Sequence, residues 1–345
     1  MKNNENKKNK NILWEEISGP LVSREHVLKQ LESDPEAYHE FLKLSDDFQE
    51  ELIAFAMGVK GAKICYDPFF KYVFDPELHP ERLEDFLSLC FKEKVNILEI
   101  LPNESKRITE ESSLLIADLL VRLQSGALVN VEIQRIGYYF PGARCACYSS
   151  DLVMRQYSQI RAQRRKEKKR FSYGDVKKVY TIVLMQRSTG EFHKHPDEYL
   201  HYSKQTFQSG LEMDLLQEYL LVPLDIFLKN QHTVIEKLDA WLYLMASDKM
   251  EDIKSVCTAY PEFKEIYRDI FQFRYHPKEL VSMFSEALRI LDQDTVQYMI
   301  DDMQRQIEEQ RAELASKDIE IVRLKKMEQE YMRLRGQIEE MKGKE

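Results

Sequence analysis

The sequence predicts a mixed α/β protein whose core runs in the order α-β-β-β-α-β, followed by a helical subdomain and a terminal coiled coil. Three observations carry this. Between residues 80 and 91 apolar side chains recur at three and four residues, and from Val95 the period shortens toward that of strands. After Thr233 no convincing strand pattern remains. From Val296 a heptad-like apolar series continues nearly to the end.

Taken in order, residues 1–60 are a polar, Asn/Lys-rich tail and a helical lead. Residues 61–230 form the expected α/β domain. It opens on Asp67-Pro-Phe-Phe-Lys71-Tyr-Val-Phe, and Leu83, Phe86, Leu87, Cys90 and Phe91 then mark one face of a helix. Val95–Leu101, Leu114–Leu123 and Leu128–Gln134 read as strands, the last two joined by the Gly-containing turn Gln124-Ser-Gly-Ala. A helix is expected over 142–165, a buried strand over Val176–Met185 and a last strand over Glu218–Leu224. Residues 231–292 are expected as packed helices around Leu238, Trp241, Leu242, Phe263 and Ile270. Residues 293–345 carry 13 acidic and 10 basic side chains. There Val296, Ile300, Met303, Ile307, Leu314, Ile321 and Leu324 share one a/d register, interrupted by Gln310 and Lys317. Met327, Tyr331, Leu334, Ile338 and Met341 continue it after a shift of three. A coiled coil that makes a homodimer is the expectation.

Composition excludes several classes. The 345 residues are 43% hydrophobic and 11% aromatic with 11 Gly and 11 Pro, which excludes a disordered or fibrous chain. No apolar run is long enough to span a membrane, and the polar start shows no signal peptide. Five cysteines without framework spacing suit reduced thiols, with Cys145 and Cys147 expected in the core. A cytoplasmic protein is therefore expected. His193, His195 and His201 match no zinc spacing.

The chemistry concentrates on Asp118, Glu132 and Gln134. Glu132 and Gln134 are two apart on a strand and share a face, and Asp118 lies on the strand across the hairpin. Carboxylates set among Ile116, Leu119, Val131 and Ile133 are costly unless a cation or a donor compensates them, and two of them suit Mg²⁺. Alternation alone fits a solvent-facing hairpin equally well. Asp67 reads either as a further acidic group or as a helix cap before Pro68. The run Arg161–Arg170 holds seven basic residues and one acidic one in a chain of net charge −9, and reads as a phosphate-binding footprint or as a solvated loop.

The ordered set from Asp67-Pro-Phe-Phe-Lys71 through Ile116-Ala-Asp118, Val131-Glu132-Ile133-Gln134-Arg135, Arg144, Tyr148 and Tyr173 resembles the PD-(D/E)XK nuclease superfamily. Within it the chain is most similar to the Rpn-type recombination-promoting nucleases, the PD-(D/E)XK nuclease family transposases, over roughly residues 60–290. The resemblance implies a restriction-endonuclease-like core and Mg²⁺-dependent cleavage of DNA, with Mn²⁺ as a possible substitute, tied to recombination or a mobile element. Asp118, Glu132 and the carbonyl of Ile133 would hold the metal, and Gln134 would take the usual lysine position. A neutral amide brings no charge, which Lys71 or Arg135 would supply. Arg135, Arg144, Arg164, Arg165, Lys168 and Lys169 would meet DNA. The alternative is a catalytically weak or inactive DNA-binding protein of the same fold that assembles through its coiled coil.

Overall fold

The computed structural model describes residues 13–101, 119–135, 141–203, 205–230 and 233–342. The lead is helical: α1 (13–18), α2 (Arg24–Glu32), α3 (Pro35–Lys43) and α4 (Asp46–Met57). Ser23 caps α2 by accepting from the His26 N–H, and Asp34 caps α3 by accepting from the N–H groups of Glu36 and Ala37. Next come α5 (Asp67–Val73), α6 (Pro80–Phe91), β1 (Ile97–Ile100), β2 (Leu119–Leu123), β3 (Leu128–Gln134), α7 (Pro141–Lys166), β4 (Val179–Met185), β5 (His201–Ser203) and β6 (Gln217–Pro223). The chain then continues as α8 (Leu224–Asn230), α9 (Lys237–Ala246), α10 (Met250–Ala259), α11 (Phe263–Gln272) and α12 (Pro277–Lys342).

Among the described residues the strands make one sheet in the order β1-β2-β3-β4-β6-β5. The hairpin β2/β3 is antiparallel, whereas β3/β4 and β4/β6 are parallel. Parallel pairing requires a crossover, and α7 supplies it between β3 and β4. The central strands therefore have both faces covered. Val129, Val131 and Ile133 of β3 join Val121, Ile182, Leu184, Leu220 and Val222 in the main core. The opposite face of the sheet packs Leu120, Leu128 and Val179 on Leu152 of α7.

The chain divides into two units, Met1–Thr295 and Val296–Glu345. In the first, one apolar cluster includes Trp14, Phe55, Phe69, Phe86, Val131, Trp241, Phe271 and Ala287, so the expected boundaries near residues 60 and 230 do not separate cores. Arg274, 4% exposed, donates to the carbonyls of Ser18, Ala56 and Pro20. Gly58 lies against it at φ +79°, and a Cβ there would fall 2.6 Å from the guanidinium carbon, so only glycine fits. The second unit is helical through Lys342, and Val296, Ile300, Met303, Ile307, Leu314, Ile321, Leu324 and Met327 are exposed on it. No described helix is long and apolar enough to cross a membrane.

The expected strands are present where they are described; residues 114–118 of the second lie outside the described residues. The three-residue edge strand β5 was not expected, being too short to show a period. One thiol also departs from expectation: Cys145 is buried but Cys147 is exposed, because residues two apart on a helix face different ways.

Burial pushes the thiols of Cys65 and Cys257 up to about 12 and that of Cys90 higher still. Unfolded thiols titrate near 8.5, so above that pH the unfolded chain releases protons that the folded chain keeps. Stability should therefore fall as pH rises beyond about 8.5, by up to about 1.4 kcal/mol per pH unit for each of these thiols. Urea denaturation at stepped pH measures the slope, and serine at all three positions should flatten it.

Candidate active site

One face of β3 changes character along its length. Leu128, at its start, is apolar and packed, but the next residues on that face are Asn130, Glu132 and Gln134, which are 0%, 4% and 3% exposed. Thr181 of β4, paired with Asn130, is fully buried beside them. From α7, Cys145 packs with Val183 and Met185 on this face, and Ser149, one turn later and fully buried, falls between Cys145 and Leu152. A polar seam thus runs between the central strands and α7.

Within it the Asn130 amide donates to Glu132 Oε1 at 2.9 Å. Asn130 Oδ1, Gln134 Oε1, Thr181 Oγ1 and Ser149 Oγ have no hydrogen-bond partner among the described residues. A buried polar atom left so costs about 1–3 kcal/mol, which a fold does not spend on stability alone. The seam thus sets several polar oxygens on an otherwise apolar face. Carboxylate and amide oxygens are hard donors that suit Mg²⁺, Mn²⁺ or Ca²⁺. The adjacent Cys145 thiol, pushed up to about 11 by burial and by the charge of Glu132, stays protonated at neutral pH and offers no thiolate ligand. The donor set therefore fits a hard divalent cation. Among the described residues, however, no group of three or more His, Cys, Asp and Glu converges. Asp118, the expected second carboxylate, lies outside the described residues; in sequence it precedes Leu119, whose Cα pairs with that of Val131.

The other expected site residues separate into distinct places. Arg135 corrects the expectation of a DNA contact. It is 6% exposed, its guanidinium lies 4.1 Å from the Tyr66 ring centroid and 5.6 Å from that of Phe48, and Nη1 donates to the Ala287 carbonyl at 2.7 Å. Strand parity explains this, since Arg135 follows Gln134 and turns to the main-core side. Asp67 is the first residue of α5, half-buried, with Tyr66 at the cap position, so the cap reading of Asp67 does not hold. Its charge acts on Arg135 and Cys65. Lys71 is exposed on α5, where its charge acts on Glu286. Arg144, next to Cys145 on α7 and half-buried, donates through Nη2 to the Tyr148 hydroxyl at 3.0 Å.

The basic run occupies the last turns of α7 and the following turn. Arg165 and Lys168 are exposed, Lys169 pairs with Glu167 at 2.9 Å, and Arg164 makes a two-pronged pair with Asp175 at 2.7 and 3.0 Å. Gln156 bonds both the N–H and the carbonyl of Lys177, so α7 runs back along the sheet. The run therefore lies near the start of β3, where Leu128 N–H donates to the Lys178 carbonyl, and Glu132 lies four residues, or about 13 Å, further along the strand. His193 lies 3.2 Å from Asp225 in an ordinary polar contact. A cleft of about 730 Å³ between α6, α9 and α11 takes no lining residue from β3 or α7.

Sequence reasoning missed Asn130, Thr181 and Ser149. Asn130 was signalled by the same period of two that paired Glu132 with Gln134; the others depend on parallel register and on the lie of α7.

An α/β sheet with a buried carboxylate and amide on its central strand, faced by a crossover helix, defines a class of site suited to hard-metal chemistry. The chain belongs to the PD-(D/E)XK nuclease family transposases, whose family profile matches residues 65–302. That family is one of nucleases linked to transposition. Neither the curated proteins nor the solved structures contain a significant match.

Replacing Arg135 tests its reassignment. Arg135→Ala should cost about 2–4 kcal/mol by urea denaturation, since it removes ring packing and a buried hydrogen bond. Arg135→Lys should recover less than half, because an ammonium cannot lie flat on Tyr66. Full stability together with weakened DNA binding would return Arg135 to the DNA interface.

Proposed function

We propose that this protein is a Mg²⁺-dependent DNA endonuclease acting in recombination or transposition. The observation that carries the reading is the buried, oxygen-rich Asn130–Glu132–Gln134 seam on the central strand of a chain of this family. Glu132, Asp118 and the Ile133 carbonyl would hold the metal. When bound, it supplies Lewis-acid stabilisation of charge on the scissile phosphate and eases deprotonation of the attacking water.

The chain's own groups do the rest. The Asn130 amide holds Glu132 Oε1 and so fixes the carboxylate's rotamer. Gln134 offers an amide oxygen to accept from, and so orient, the attacking water. Arg144, on the helix that faces this strand, would supply the positive charge that a neutral Gln134 does not. Four buried thiols and one exposed one suit a reducing compartment, and we place the protein in the cytoplasm.

Supercoiled plasmid is the direct test. The purified protein should nick it with Mg²⁺ or Mn²⁺ and not with EDTA, and Glu132→Gln or Asp118→Asn should lower the rate at least about a hundredfold while DNA affinity stays within about twofold. Binding without cleavage under both metals would leave the catalytically silent assembly protein as the function.

We further infer that α12 mediates a homodimer. Its exposed Val296, Ile300, Met303 and Ile307 keep heptad spacing, and such a stripe is stable in water only against a partner helix. Two copies would bring together the two sites that cutting both strands requires. Sedimentation should show a dimer at micromolar concentration and a monomer after truncation at Asp292, with nicking retained. A monomeric full-length chain would remove the paired-site arrangement.

A further inference from the structure

We propose that the end of α7 and the turn after it form a stacking platform for unpaired bases, which makes single-stranded DNA a ligand of this surface. Three aromatic rings meet there. Tyr157 and Tyr173 are nearly parallel, 15° apart with centroids at 6.3 Å, and Phe171 stands edge-on to both at 5.2 and 5.1 Å. Rings that pack one another in this way are normally hidden, yet Tyr173 is 78% exposed. Its exposure is enforced. Ser172 and Asp175 form a capping box around the turn, and Arg164 grips Asp175 with two hydrogen bonds, so Tyr173 is presented at the tip of a clamped turn. Arg164, expected to touch phosphate, is thus a positioning residue for Tyr173.

The surroundings select the ligand. Residues 161–178 contain nine basic and two acidic side chains, in a chain of net charge −9. Both acids are engaged locally, Glu167 with Lys169 and Asp175 with Arg164. Arg165, Lys166, Lys168, Arg170 and Lys177 are exposed and, among the described residues, enter no ion pair. The α7 terminus reinforces this display: Lys169 N–H donates to the Arg164 carbonyl and Lys168 N–H to that of Arg165, with Lys168 at φ +54°, a left-handed cap that splays consecutive cations around the helix end. Cations that follow a phosphate chain, beside an exposed ring on which any base can stack, are the two components of single-strand binding. A duplex presents its phosphates but keeps its base faces stacked inside, so the ring would gain nothing from it. The choice of DNA over RNA rests on the nuclease reading; the platform itself does not.

Fluorescence anisotropy of the full-length protein in EDTA, with oligo-dT, an abasic strand of equal length and a duplex, tests the proposal. The wild type should bind oligo-dT about tenfold more tightly than the abasic strand. Tyr173→Ala should lose about that factor on oligo-dT and nothing on the abasic strand, with an unchanged salt slope, because no phosphate contact is removed. Tyr173→Phe should restore wild-type affinity. Neutralising Arg165, Lys166 and Lys168 to Gln should weaken both strands and flatten the salt dependence. Equal binding of oligo-dT and abasic strand by the wild type, or an oligo-U ligand bound more tightly than oligo-dT, would overturn the proposal. Plasmid nicking is scored separately, so failure of the platform and failure of the nuclease reading give different results.

Discussion

The structure depends on one constraint: β3 is covered on both faces, yet every second residue over its last half is polar. A central strand in a parallel sheet is ordinarily apolar throughout. Here Val129, Val131 and Ile133 satisfy that rule toward the main core, while Asn130, Glu132 and Gln134 break it toward α7. The cost is tolerable because the surrounding burial is extensive, with Leu128, Val179 and Leu152 sealing one end of the seam and Val183, Met185 and Phe192 lining its further part. Replacing the polar residues by valine or leucine would make a more conventional sheet and a chemically silent one. Such local violation of packing rules, compensated elsewhere, is what the proposed site rests on.

A second pattern concerns buried charge. Among the described residues the buried cations are arginines: Arg82, Arg135 and Arg274. Each bridges segments far apart in sequence, Arg82 to Asp269, Arg135 to Ala287 and Arg274 to Ser18. A guanidinium can lie flat on rings and spread several donors over fixed carbonyls, which an ammonium cannot. Arg82 ties α11 to α6, Arg135 ties α12 to the end of β3, and Arg274 ties the C-terminal helices to the N-terminal lead, all within the unit of residues 1–295.

Much of this was legible in the sequence, and the failures have physical reasons. The strand period exposed β3 and the shared face of Glu132 and Gln134. The same parity, carried one residue further, puts Arg135 on the other side, but its nearness in sequence to Gln134 suggested a common cleft. The basic run was recognisable as a surface feature, whereas its distance from Glu132 was not, because it depends on α7 running back along the sheet, fixed by Gln156 and Lys177, 21 residues apart. Ser149 and Thr181 entered the seam only through register between elements that no local pattern specifies. Tyr173 was visible as a residue but not as an exposed ring, since its setting depends on Phe171, Tyr157 and the Arg164–Asp175 clamp.

The Arg135–Ala287 contact also bears on the order in which the protein is made. The two residues are 152 apart, so when β3 leaves the ribosome the acceptor for its terminal arginine does not yet exist. Synthesis at about 5–20 residues per second leaves an interval of roughly ten seconds or more in which the strand bearing Glu132 lacks its latch. Phe48 and Tyr66, already synthesised, can shelter the guanidinium during that interval, but the carbonyl arrives only with the first turns of α12. The strand bearing Glu132 therefore gains its last fastening only as α12 begins to form, when most of the chain has already been made.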